Sequence, residues 1–100
     1  MKSSYPEEKY DVAVRALAIG TDSIQHRLRE AYISIMRLQK MDLKEEKLWQ
    51  EHESIINSLT GTKQGPGDDP LDRTLRQMSD SDASRIADRI VSFSYEVRRR

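Results

Sequence analysis

Apolar residues recur along this chain in steps of three and four, the spacing of one face of an α-helix. From Ile24 they fall at Leu28, Ala31, Tyr32, Ile35 and Leu38. From Leu48 they continue through Trp49, His52, Ile55, Ile56 and Leu59, with a histidine set among the apolar side chains. A further run takes Ala83, Ile86, Ala87, Ile90, Phe93 and Val97, and a shorter one holds Leu71, Leu75 and Met78. The segment Val12-Ala13-Val14-Arg15-Ala16-Leu17-Ala18-Ile19 is different, being apolar on nearly every side. Such a helix belongs in a core or at an interface. No segment sustains a two-residue alternation, so no strand is predicted.

Helix-start residues fall where these stripes need them. Ser4 with Glu7 forms a capping box, with Pro6 in the first turn, and the first helix runs to about Ile19. Gly20 suits the left-handed position that ends it. Asp22 with Gln25 and Asp42 with Glu45 repeat the cap-plus-three pattern, and Thr60-Gly61 closes the third helix. Asp69-Pro70 reads as cap and first residue of a short helix, and Ser79 with Asp82 caps the last one. The terminal Arg98-Arg99-Arg100 complements a helix C-terminus. The expected fold is all-α: a compact bundle of four main helices and one short helix, forming a single domain over residues 1–100. A flexible loop is expected at about 61–69. Short connections near Gly20 and Lys40-Met41 predict antiparallel neighbours. Leu28, Ile35, Leu48, Ile55, Ile86 and Ile90 are expected among the most buried residues.

Composition narrows the function classes. Leu, Ile, Val and Phe make up only 21 of 100 residues, near the level at which chains stay disordered. Here, however, 17 basic residues balance 17 acidic ones, so no self-repulsion opposes a compact state. The chain has no cysteine, which removes disulfides, thiolate metal sites and thiol nucleophiles. A small domain without such staples is expected in the cytoplasm. No apolar run approaches the roughly 18 residues of a membrane span. The start, Met1-Lys2-Ser3-Ser4-Tyr5-Pro6-Glu7-Glu8, turns acidic where a signal peptide turns apolar.

Little catalytic chemistry is legible. His26 lies beside Arg27 on the polar side of its helix, and His52 on a core-facing stripe, where a structural role is expected. Neither is expected to find a carboxylate one turn away on its own helix. The spacing Glu7-Glu8-x-x-Asp11 resembles the acidic motif of all-α nucleotide pyrophosphohydrolases. That resemblance implies a carboxylate-bound metal and a second Glu-x-x-Asp motif on a later helix, which has no convincing counterpart here. The Gly-rich stretch Gly61-Thr62-Lys63-Gln64-Gly65-Pro66-Gly67 follows a helix rather than a strand, unlike a phosphate-binding loop. No cofactor or metal is expected.

Nucleic-acid binding ranks below protein binding, because a chain with no net charge lacks a global attractive field. Arg27, Arg29, Arg37 and the Arg98–Arg100 tail are the residues a DNA-associated regulator would use. Charge is uneven, at +2 over 21–40, −3 over 41–60 and +2 over 81–100. This predicts ion pairs between basic helices and the acidic third one. The strongest expectation is a non-enzymatic interaction module, a homodimer or an adaptor or inhibitor of another protein. Its candidate surface is Arg29, Ile33, Met36 and Lys40 on the second helix, with Val14 and Ala18 on the first. Ile33 and Met36 stand off the core stripe, and methionine adapts to irregular partner surfaces.

Overall fold

The computed structural model describes residues 4–61 and 69–99. Among them it contains five α-helices and no strand: α1 (Tyr5–Ile19), α2 (Ile24–Ile35), α3 (Glu46–Thr60), α4 (Pro70–Gln77) and α5 (Asp80–Arg98). The fold is all-α. The loop expected over 61–69 falls on residues 62–68, which lie outside the described residues.

Three helix starts follow the sequence directly. The Ser4 hydroxyl accepts from the Glu7 amide at 3.3 Å while the Glu7 carboxylate accepts from the Ser4 amide at 3.5 Å, completing the capping box. Asp69 caps α4 by accepting from the Asp72 amide, with Pro70 opening the helix. Ser79 accepts from the Asp82 amide at 3.0 Å and caps α5.

Two starts and one stop differ from expectation. The cap of α2 is Ser23, whose hydroxyl accepts from the His26 amide at 3.1 Å, and not Asp22. The serine sits one residue closer to the first turn, where its short side chain reaches an otherwise unpaired N–H. Asp42 does not start α3. Its carboxylate accepts from the Gln39 amide at 2.8 Å and ties a 3-10 turn, Lys40–Asp42, while Glu45 stands at the start of α3 without a side-chain cap. Finally, α2 ends at Ile35, so Leu38 reaches the core from the connecting segment, as Leu43 does.

Gly20 ends α1 in an extended conformation, φ −66° and ψ 145°, and not in the left-handed region. Its requirement for glycine is one of space. A Cβ there would lie 2.6 Å from Arg27 Cγ and 2.8 Å from the Ala16 carbonyl oxygen. The bare backbone lets Arg27 fold across the α1–α2 corner, donating to the Leu17 carbonyl at 2.8 Å and the Asp22 carbonyl at 3.1 Å. At the other end of this helix pair the Ser34 hydroxyl donates to the Lys9 carbonyl at 2.6 Å. Late α2 therefore meets early α1, and the two run antiparallel.

Each helix turns apolar side chains into one core, and all six residues expected there are at most 9% exposed. α1 packs on α2 and α5, α3 on α4 and α5, and α2 on α4 and α5. The Cα radius of gyration is 13.3 Å, what a compact chain of about 100 residues shows. No described helix is long and apolar enough to cross a membrane.

Candidate functional site

The core of α1 is built by Pro6, Tyr10, Ala13 and Leu17. Because a helix turns about 100° per residue, this leaves Tyr5, Val12 and Ile19 in line along another side. They are 47%, 54% and 67% exposed. The Lys9 ammonium lies 5.3 Å from the Tyr5 ring centroid and covers part of that stripe. The apolar excess of α1 is legible in the sequence, but which of its apolar residues stay outside is not. The seven-residue spacing of these three shows only that they share a side.

On α2, Leu28, Ala31 and Ile35 face inward, and Ile33 and Met36 are 51% and 46% exposed. Arg29 extends to α4, where its guanidinium meets the Asp72 carboxylate at 2.5 Å. Lys40, expected on the same helix, stands beyond its end in the 3-10 turn and lies 3.5 Å from the Glu46 carboxylate. Both flanking cations are thus held by acids of the same chain, in exposed pairs of at most about 1 kcal/mol each. Val14 lies elsewhere. It lines a shallow cleft with Asp11, Val91 and Tyr95, on the α5 side of α1. Ala18, one turn further along that side, is exposed. The structure brings Arg29, Ile33 and Met36 onto one helix face and separates Val14 from them.

Other candidate chemistry is largely absorbed by the fold. Arg27 bridges the α1–α2 corner, Arg29 holds Asp72, and Arg98 pairs with Asp11. The charge asymmetry resolves partly as expected: Arg89 of α5 reaches Glu51 at 3.3 Å, Ser54 at 2.7 Å and Ser58 at 3.0 Å on α3. Of the acidic triplet on α1, Glu7 is spent on the capping box and Asp11 on Arg98. Among the described residues no group of three histidines or carboxylates is placed to hold a metal. His26 corrects the sequence reading. Asp22 and Glu30, four residues to either side, lie 3.5 Å and 3.9 Å from its Nε2, all three on the exposed surface.

His52 is the polar group that the core surrounds. It is 2% exposed, and its Nδ1 lies 2.8 Å from the hydroxyl of Tyr10, which is fully buried. Trp49 lies against the imidazole with centroids 5.3 Å apart, and Phe93 meets the Tyr10 ring edge-on at 4.9 Å. Burial lowers the imidazole from its ordinary value to about 4. Burial likewise raises the Tyr10 phenol, helped by the Glu51 carboxylate and opposed by Arg89. The pair is therefore neutral at pH 7. Its tautomer follows from satisfaction of the buried groups. His52 Nδ1 is the acceptor within reach of the Tyr10 proton, so the hydroxyl donates and the imidazole carries its hydrogen on Nε2. No known protein family, curated protein or solved structure matches this chain.

Proposed function

We propose that this chain is a non-enzymatic helical interaction module that binds a second protein chain through the outward face of α2. The observation that carries this reading is the pair Ile33 and Met36, about half exposed on a helix whose inward face is already filled. Arg29, one turn before Ile33, supplies a polar edge to the pair, as the rim of an interface does. A second copy of the chain is the default partner, since a self-complementary patch needs no other gene product and twofold dimers are the commonest assembly. Val14 and Ala18 would join only through a separate contact on the α5 side of α1. A chain without cysteine suits the reducing cytoplasm, where we place it.

Replacing Ile33 and Met36 together with glutamate tests the reading by sedimentation. The expected result is a wild-type assembly, or a complex with another protein, that dissociates in the variant while helical content is unchanged. A wild-type chain that is a monomer, with no partner recovered by pull-down and none lost in the variant, overturns it.

A further inference from the structure

The exposed stripe of α1 has Val12 at its middle, with Tyr5 and Ile19 seven residues to either side. At about 1.5 Å per residue it runs about 21 Å, nearly the whole helix. Its two edges differ. On one lie Lys9 and Ala16, both half-buried, and the Lys9 carbonyl accepts from Ser34 of α2. On the other lie Glu8 and Arg15, both exposed, about 40° and 60° round the helix from Val12. That second edge is turned away from α2.

The other charges of α1 are engaged within the chain. Glu7 closes the capping box, Asp11 meets Arg98, and Lys9 lies over the Tyr5 ring. Glu8 and Arg15 meet no opposite charge among the described residues. Seven residues apart, they are also beyond the one-turn spacing at which charges on a single helix pair. Their order along the helix decides what could pair them. When two copies of a helix lie antiparallel about a twofold axis, each edge meets the same edge of its copy with the chain direction reversed. An axis at Val12 sets Val12 against its own copy and Tyr5 against Ile19 of the second chain. Glu8 and Arg15 are centred within one residue of Val12, so the same register sets Glu8 against Arg15 of the second chain, twice.

We propose that α1 pairs antiparallel with α1 of a second copy of this chain about a twofold axis at Val12. The Tyr5, Val12 and Ile19 side chains form the apolar centre of the contact, and two Glu8–Arg15 ion pairs close its outer edge. Each copy brings one acid and one base to that edge, so the surface is complementary to itself. A parallel pair would instead set Arg15 beside Ala16, with no acid to meet it. One helix stripe makes a small interface, of the class under about 1,200 Å² in total, so the dimer is weak and forms as concentration rises. This surface uses neither Ile33 nor Met36, and it stands whether or not α2 binds a partner.

Charge reversal tests the register and the occupant together. Sedimentation equilibrium is run on the whole chain at low salt, from about 10 μM to about 1 mM. The wild type should pass reversibly from monomer to dimer. Val12→Glu, which brings two carboxylates together at the axis, should stay monomeric. Glu8→Arg and Arg15→Glu each set like charges at both edge contacts, and each should dimerise at least about tenfold more weakly. An equimolar mixture of these two variants sets arginine only against glutamate, so it should recover a dimer about as tight as that of the wild type. Circular dichroism checks that each variant keeps its helical content, since Glu8 also favours the first turn of α1. The proposal is overturned by a wild type that remains a monomer at about 1 mM, or by a Val12→Glu chain that dimerises as the wild type does. It is equally overturned by single reversals without effect, the result expected if α2 alone joins the copies, or by a mixture that binds no better than its components.

Discussion

The Tyr10 hydroxyl donates to His52 Nδ1 at 2.8 Å, joining α1 to α3 across 42 residues of sequence. These two helices are not among the closely packed pairs. The tyrosine ring spans the space between them, edge-on to Phe93 on one side and to the imidazole on the other. A buried polar pair of this kind stabilises only while both members are present. Tyr10→Phe and His52→Phe should each lower unfolding free energy by about 1–3 kcal/mol, because each strands a buried donor or acceptor. The double variant should lose less than the sum, with a coupling of about 1 kcal/mol. Urea denaturation of the four proteins measures it. Strict additivity would mean that the hydrogen bond does not form in solution.

The same pair should set the response to acid. His52 titrates at about 4 when folded, against an ordinary value of 6.5. Between those values the unfolded chain binds more protons, so falling pH favours unfolding. The contribution is complete above about pH 6.5 and is lost as pH falls toward 4, on the order of 3 kcal/mol in all. At the alkaline end, unfolded tyrosine ionises near pH 10 while buried Tyr10 resists. Stability should therefore fall again as pH rises past that point. Urea midpoints between pH 7 and pH 4 supply the check on the acid side. The decline should be clearly shallower when both Tyr10 and His52 are phenylalanine, and an unchanged slope would move the acid sensitivity to other groups.

Gly20 is a test of close approach rather than of backbone freedom. Its φ of −66° suits any residue, yet a Cβ would press on both Arg27 and the Ala16 carbonyl. Gly20→Ala should cost about 1–3 kcal/mol, the usual scale of overpacking. The penalty should shrink in an Arg27→Ala background, where the nearer of the two obstacles is gone. Thermal melts of the two single variants and the double report this. A neutral Gly20→Ala would show that Arg27 swings away at little expense and does not fasten the corner.

What the sequence disclosed divides by range. Ser4, Asp69 and Ser79 were legible as caps because a cap is a contact across three residues. The inward faces of α2, α3 and α5 were legible because their period survives any arrangement of the bundle. At the α2 start the cap-plus-three pattern pointed to Asp22, and the backbone puts Ser23 at the cap instead. The segment 36–45 was misread because Leu38 continues the α2 period although the helix ends at Ile35. Tyr10 was not singled out for the core, since its hydroxyl needs a partner and His52 lies 42 residues away. The exposed His26 cluster was different. Asp22 and Glu30 stand four residues to either side in plain view, and the local spacing already contained the contact.

Leu28 and Ile33 lie on the same helix, five residues apart, and should behave oppositely. Leu28 is fully buried, so Leu28→Ala removes hydrocarbon from a filled core and should cost about 2–5 kcal/mol. Ile33 is 51% exposed. Ile33→Ala removes a side chain that is only half-buried and gains a few tenths of a kcal/mol of helix propensity, so its effect on an isolated chain should stay within about 1 kcal/mol. The contrast also bears on function. If α2 meets a second copy of the chain through Ile33, assembly stabilises the folded state by mass action, and the melting temperature rises with protein concentration. Ile33→Ala should then flatten that dependence while leaving the dilute-limit melting temperature almost unchanged. Leu28→Ala should lower melting at every concentration. Differential scanning calorimetry over a hundredfold dilution separates these outcomes. A wild-type melting temperature that does not depend on concentration would mean that the outward face of α2 is not covered by a second copy of this chain.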